Sequence, residues 1–188
     1  MMLDRIHGRE AVPASTGWNV AKTAGQMVLF WSLFLGVIPV VVWYAEGRLG
    51  LAGWRVPSPA AWWSGVALFA LGGTLGLSSA WVMAVRGRGT PLPADCAREL
   101  VIAGPYRYVR NPMAVAGLGQ GVAVGLLLGS PAVIAYALVG APIWHWFVRP
   151  WEEADLERRF GAPYRRYRAA VRCWLPRLSG YDDTRTAA

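Results

Sequence analysis

Residues 25–44, GQMVLFWSLFLGVIPVVVWY, form a stretch without a single charged side chain. A helix that crosses a bilayer needs about 20 consecutive apolar residues. The stretch therefore predicts a first transmembrane helix. Pro39 inside it predicts a kink, which a membrane helix tolerates because neighbouring groups satisfy the freed backbone atoms.

Three further apolar stretches follow, at residues 60–85, 113–129 and 132–148. Trp62, Trp63 and Trp81 stand near the two ends of the first of these, as expected for aromatic side chains at the membrane interfaces. Only Ser130 and Pro131 separate the last two stretches, which predicts a tight helical hairpin. We therefore expect an all-α, polytopic membrane protein with about four transmembrane helices.

The composition agrees with a membrane protein. The chain has 188 residues, of which 55% are hydrophobic and 16% charged, against roughly 25% charged residues in soluble domains. A net charge of +8 would indicate nucleic acid in a soluble protein, but the basic residues here alternate with apolar runs. We expect the lipid bilayer as a partner and no nucleic acid. His7, His145, Cys96 and Cys173 are isolated in the sequence, so no metal site is predicted.

The distribution of lysine and arginine predicts the topology. The leader carries three of these residues, the first loop two, the second loop five, the third loop none and the chain from Arg149 onward nine. With four spans and both termini cytoplasmic, seventeen basic residues lie inside and two outside, in agreement with the positive-inside rule. We expect an integral protein of a bacterial inner membrane, with the second loop and the C-terminal region on the cytosolic face.

Small residues recur every fourth position in two of the predicted spans. This spacing lets helix backbones approach closely in lipid, so these faces are expected to pack against other helices. The residues are Gly72, Gly76 and Ala80 in the second span, and Gly117, Gly121, Gly125 and Gly129 in the third.

The region after the fourth span carries an apolar and aromatic stripe with helical spacing. Its members are Leu156, Phe160, Tyr164, Tyr167 and Val171. Gly161 and Pro163 interrupt it, which predicts two short amphipathic helices on the cytosolic face. The arginines around the stripe favour an anchor on anionic lipid.

Residues 98–112, RELVIAGPYRYVRNP, form a polar, aromatic and basic loop between apolar blocks. Proline disfavours helical backbone in the residue before it, so Pro105 and Pro112 predict helix boundaries at Gly104 and Asn111. We expect a rigid loop at the membrane surface.

Glu152 and Glu153 follow the fourth span in the sequence RPWEEADL and lie on the predicted face of this loop. They are either acids at a helix start, where the dipole favours them, or part of a pocket for a small polar cofactor. A carboxylate accepts hydrogen bonds from both hydroxyls of a ribose, and Tyr106 or Trp151 can stack on a purine.

Several motifs in a fixed order resemble the isoprenylcysteine carboxyl methyltransferase family, whose wider group includes the membrane phospholipid N-methyltransferases. The motifs are GPYRYVRNP at 104–112, a helical hairpin, EExxL at 152–156, FGxxYxxY at 160–167 and WLP at 174–176. The resemblance covers about residues 86–177. It implies methyl transfer from S-adenosylmethionine, bound at the cytosolic side, to a lipophilic small-molecule or lipidated acceptor that enters from the bilayer.

The sequence pattern predicts a polar leader (1–24), two transmembrane helices (25–85) and a flexible tail (178–188), and the resemblance implies a methyltransferase core between them (86–177). The resemblance also implies a set of residues that bind the cofactor. They are Arg98, Glu99, Leu100, Val101, Tyr106, Asn111, Pro112, Met113 and Glu152.

The acceptor stays open between a carboxylate like that of isoprenylcysteine and a lipid amine. A carboxylate needs only a cation such as Arg149 or Arg110 to orient it, and Arg149 lies one position from the family arginine that does so. An amine must lose a proton, which Glu153 can accept. The chain has Asn111 where the isoprenylcysteine branch has His, and Ala114 where the family usually has Tyr.

Two alternatives belong to other functional classes. Membrane sterol reductases resemble this family in their C-terminal halves and use NADPH, although they are longer than this chain. A non-catalytic membrane scaffold of the same fold is the second alternative, raised by Ala114. The sequence leaves the oligomeric state open.

Overall fold

The computed structural model describes residues 10–91 and 95–182. Throughout these residues the regular structure is helical and no β-strand forms, which confirms the predicted all-α class. Arg5, His7 and Arg9 lie outside the described residues, as does the end of the predicted tail. The α-helices are α1 (Thr16–Trp31), α2 (Ile38–Arg48), α3 (Pro59–Arg86), α4 (Pro112–Leu127), α5 (Pro131–Ile143) and α6 (Arg149–Ala170).

Three continuous helical segments are long and apolar enough to cross a membrane. They are Thr16–Arg48, Pro59–Arg86 and Pro131–Ala170, the last of which is apolar in its first half and charged after Val148. Helix α4 is apolar but has 16 residues, fewer than the about 20 that a span needs. The four predicted apolar segments are therefore all helical, and three of them are part of a segment of spanning length.

The first segment differs from the prediction at both ends and in its middle. It begins at Thr16 instead of residue 25, inside the stretch predicted to be a polar leader. Its kink takes the form of a π-helical turn, Ser32–Val37, directly before Pro39. Because proline has no backbone N–H to donate to the preceding turn, the helix widens where that bond is missing.

The helices contribute to two compact units. The hairpin unit consists of Gly25–Gly76 and Ala114–His145, and the loop unit consists of Met1–Ala24, Leu77–Met113 and Trp146–Ala188. All the predicted site residues belong to the loop unit.

In the hairpin unit, the predicted glycine faces pack against neighbouring helices. A Cβ atom added at Gly125 would lie 2.5 Å from Ile134 Cγ1 of α5, and one at Gly72 would lie 3.1 Å from the Ala116 carbonyl oxygen of α4. Gly117 has open space around it. Only part of the glycine face predicted for the third span therefore packs against another helix. The glycines set the close approach of α4 to both of its neighbours.

The turn between α4 and α5 confirms the predicted tight hairpin. Gly129 has a φ of 58°, a conformation that glycine adopts at the end of a helix. Ser130 then begins α5 by accepting a hydrogen bond from the Val133 amide through its side chain. The Ser130 hydroxyl also donates at 2.7 Å to Glu46, a buried carboxylate that is paired with Arg55 at 3.1 Å.

In the loop unit, α6 breaks at the predicted place. Gly161 has φ 55° and ψ −128°, so two helical pieces meet there and Pro163 lies in the first turn of the second. The predicted stripe is buried within the protein. Tyr164, Tyr167 and Val171 are 1–3% exposed and form a cluster with Tyr181, so these side chains face the protein interior instead of a lipid surface.

Candidate active site

The loop of residues 98–112 is held in place by the chain that follows α6. The Arg110 and Asn111 amides donate to the carbonyls of Arg172 and Cys173, at 3.0 and 3.4 Å. Further along, the Tyr181 amide donates at 2.8 Å to a carbonyl of the same loop. We refer to residues 171–182 as the C-terminal strap. Tyr181 is 4% exposed, so the packed chain continues past the boundary predicted at residue 178.

The loop itself has the predicted form. Ala103 is extended, a short 3-10 helix runs over Gly104–Arg107, and α4 begins at Pro112. Gly104 has a φ of 53°, and a Cβ there would lie 2.9 Å from Val82. Both prolines therefore mark boundaries, and glycine is required where the chain turns against α3.

Arg110 and Arg149 share one carboxylate. Glu153 Oε1 accepts a hydrogen bond from Arg110 Nη1 at 2.8 Å and from Arg149 Nε at 2.7 Å. The side chains of Arg110 and Glu153 are 10% and 16% exposed, and Arg149 is 27% exposed. The three residues implied as catalytic thus form one partly buried cluster with two cations and one anion.

Glu152 lies beside this cluster and has a different partner. Its Oε2 accepts a hydrogen bond from Asn111 Nδ2 at 3.4 Å. Among the described residues no guanidinium or ammonium group forms an ion pair with Glu152. Its carboxylate therefore keeps acceptor capacity for a further donor.

Tyr106 is buried and close to both Glu152 and α6. The Tyr106 carbonyl accepts a hydrogen bond from the Tyr167 hydroxyl at 2.6 Å. Burial raises the pKa of Tyr106, and the neighbouring Tyr167 and Glu152 raise it further. The phenol consequently stays neutral, and its ring is packed in the interior with only 6% exposed.

Other residues implied as cofactor ligands have packing or surface roles. Leu100 packs against the aromatic cluster of Tyr164 and Tyr167. Val101 is buried, with its side chain 2.8 Å from where a Cβ of Gly87 would lie. Pro112 is fully buried and Met113 is half-buried.

Arg98 and Glu99 point to different partners. Arg98 pairs with Glu10 at 3.2 Å, and Glu99 pairs with Arg88 at 3.2 Å through side chains that are more than half exposed. The structure therefore brings Tyr106, Asn111 and Glu152 together with the arginine cluster, whereas Arg98 and Glu99 form surface ion pairs.

Sequence patterns did not single out two further residues beside the cluster. The Tyr164 hydroxyl accepts from Arg110 Nη1 at 3.4 Å. Burial raises the pKa of the Cys173 thiol, and the nearby Arg110 and Arg149 partly oppose this rise. Tyr164 is part of the predicted stripe and of the FGxxYxxY motif, but neither pattern assigned it to the site, and a single cysteine carries no motif.

The geometry can be compared with known families. A model of the phospholipid methyltransferase family matches residues 60–163, which are 104 of the 188 residues. The chain belongs to this family. No curated protein and no solved structure shows significant similarity to it.

The family match contains α3, the loop, the α4–α5 hairpin and the first part of α6. It therefore includes Tyr106, Asn111, Glu152 and the whole arginine cluster, and it ends just before Tyr164. Together with the three helices of spanning length, membership shows an integral membrane protein.

Proposed function

We propose that this protein transfers a methyl group from S-adenosylmethionine to a lipophilic acceptor that reaches the site from the bilayer. The observation that carries the proposal is the pairing of Asn111 with Glu152 beside the Arg110–Glu153–Arg149 cluster, inside the region matched by a methyltransferase family.

The residues present fit such a cofactor. Glu152 has one long hydrogen bond and can accept from the ribose hydroxyls. Arg110 Nε is buried and has no hydrogen-bond partner among the described residues, so one strong donor is left for an anionic group.

The bound cofactor would supply a methyl group already activated by a sulfonium, which leaves alignment as the main task of the protein. Glu152 and Asn111 would hold the polar part of the cofactor. Arg149, the most exposed member of its cluster, would orient a negative group of the acceptor, and Glu153 holds Arg149 and Arg110 in position.

Both acceptor classes remain within the proposal. A carboxylate acceptor would be oriented by Arg149, and a lipid amine would give its proton to Glu153 once the acceptor displaces one of the two arginines. Lipids extracted from cells that lack or overproduce the protein, grown with labelled methionine, would identify the acceptor by the species that gains or loses label.

The first test of this function is binding of S-adenosylmethionine by the full chain in detergent. We expect saturable binding by the wild type and about tenfold weaker binding by Glu152→Gln, because an NH₂ donor replaces one of the two carboxyl oxygens that could accept from the cofactor while the other oxygen keeps the Asn111 contact. Isothermal titration measures both. Folded wild-type protein that binds NADPH and no S-adenosylmethionine would contradict the proposal and favour the reductase alternative.

A further inference from the structure

The first two turns of α1 belong to the loop unit and carry a polar face. Residues 19, 22 and 23 fall within about 100° of one another around a helix with 3.6 residues per turn. Lys22 pairs with Asp95 of the second loop, so this face of α1 is turned toward Asp95. The side chains of Asn19 and Thr23 on the same face are 1% and 3% exposed.

Neither of these two buried side chains has its oxygen satisfied. Asn19 Oδ1 and Thr23 Oγ1 have no hydrogen-bond partner among the described residues. A buried polar group without a partner costs about 1–3 kcal/mol, and such groups in native proteins usually contact water or a ligand. Two of them on successive turns of one helix indicate a position for polar atoms that do not belong to the protein.

The same segment of the loop connects this face with Glu152. Arg159 of α6 donates to the Ala97 carbonyl and pairs with Asp155. Burial raises the pKa of Cys96, Arg159 opposes the rise, and Glu152 contributes to it. Cys96 therefore interacts electrostatically with Glu152. It directly follows Asp95, the residue that pairs with Lys22 of α1.

We propose that Asn19 and Thr23 are additional cofactor-binding residues, which accept hydrogen bonds from N–H or O–H groups of S-adenosylmethionine. The inference rests on the proposed function. It places part of the binding site on α1, outside the region that the family model matches. Both side chains are neutral, so they add specificity for a donor without changing the charge balance that the arginines and glutamates set.

S-adenosylmethionine offers three kinds of donor to such a face: the ammonium of its amino acid, the ribose hydroxyls and the exocyclic amine of adenine. The demethylated product keeps all three, whereas 5′-methylthioadenosine lacks the ammonium. A comparison of these three ligands therefore identifies which part of the cofactor α1 contacts.

The experiment uses the full chain in detergent, with Asn19→Leu and Thr23→Val as the test variants. Thermal unfolding without ligand and titration with each of the three ligands are the measurements. We expect the unliganded variants to be as stable as the wild type or more stable, because an unpaired polar atom is removed from the interior. We expect each to bind S-adenosylmethionine about 3- to 10-fold more weakly, the loss of one hydrogen bond.

Two controls make the result specific. Thr16→Val carries the same change at an exposed position of α1 and should bind as the wild type does. Thr23→Ser and Thr23→Ala both lack the methyl group and differ only in the hydroxyl, so a loss in Thr23→Ala that Thr23→Ser does not show assigns the effect to the hydroxyl. The comparison of Thr23→Ser with Thr23→Ala tests the role of the hydroxyl even if Thr23→Val does not fold.

Weaker binding of all three ligands supports a contact with the nucleoside, and weaker binding of only the two amino-acid-bearing ligands supports a contact with the ammonium. Affinities within twofold of the wild type for every ligand overturn the inference, with buried water or packing as the explanation of the polar face. Failure of the wild type itself to bind S-adenosylmethionine overturns the proposed function, which is a separate outcome.

Discussion

At the scale of single residues, Glu153 holds together two cations that would otherwise repel each other. Arg110 and Arg149 both donate to its Oε1, in a region where all three side chains are mostly removed from water. Removal of one partner from a buried ion pair leaves an uncompensated charge in the interior. The free-energy cost of this charge exceeds the stabilisation that the intact pair provided.

We therefore expect Glu153→Gln to lower the free energy of unfolding by about 2–3 kcal/mol. The same change should weaken substrate binding, because Arg149 loses the contact that positions it. Denaturant unfolding of the full chain in detergent measures the first effect.

Glu157→Gln is the matched control. Glu157 also faces two arginines, Arg165 and Arg168, but these are 56% and 40% exposed. Exposed ion pairs contribute about 0–1 kcal/mol, so this variant should unfold close to the wild type. Equal losses in the two variants would show that the burial of the Glu153 cluster has no energetic role.

The residues also show how far a sequence motif can define a site. The motifs contain Arg110, Asn111, Glu152 and Glu153, and Arg149 lies three residues before the second of them. The structure brings these five together because both motif regions belong to one unit. A motif marks a segment, however, and does not tell which way each side chain points. Leu100 joins the aromatic cluster in the same segment whose Arg98 pairs at the surface.

At the scale of the helices, α4 depends on how closely it approaches α5. The Cβ of an alanine at residue 125 would lie 2.5 Å from Ile134 Cγ1 and 2.8 Å from the Ile134 backbone nitrogen. Backbone atoms cannot rotate away as a flexible side chain does, so α4 and α5 would have to separate.

Gly125→Ala should destabilise the protein by about 1–3 kcal/mol, the usual cost of overpacking. Gly117→Ala makes the same change on the same helix, where open space surrounds the position, and should cost nothing. Unfolding midpoints in detergent measure the difference. If Gly117→Ala proves as harmful as Gly125→Ala, helix flexibility and not contact with α5 would be the reason for these glycines.

The presence of the helices could be predicted from the sequence, because apolar runs and proline positions are local signals. The prediction for α3 ended within one residue of the observed helix. The start of the first helix at Thr16 was missed because its first two turns are stabilised by tertiary contacts, such as that of Lys22 with Asp95, and not by a local apolar pattern. The π-helical turns, Ser32–Val37 and Trp144–Val148, have no sequence signal beyond a nearby proline.

At the scale of the whole molecule, the distribution of arginine and lysine predicts one orientation in the membrane. The first loop should face away from the cytoplasm, and the chain that follows α6 should face the cytoplasm. Both regions contain exposed small residues, Ala52 and Ser179, at which a cysteine can be introduced after Cys96 and Cys173 are replaced.

In intact bacterial cells, a maleimide that does not cross membranes should label Ala52→Cys and leave Ser179→Cys unlabelled until the cells are permeabilised. Labelling followed by gel shift measures both. The reverse pattern would place the Glu152 region outside the cytoplasm, where S-adenosylmethionine is not supplied, and would contradict the orientation together with the proposed function.

The C-terminal strap has a consequence for the order of synthesis. Residues 171–182 leave the ribosome after α1–α6, yet their backbone groups hold the loop that carries Arg110 and Asn111. During translation this loop emerges well before the residues that fix it. The nascent chain can therefore insert its apolar helices first, and the loop reaches its final conformation only as a late step of maturation.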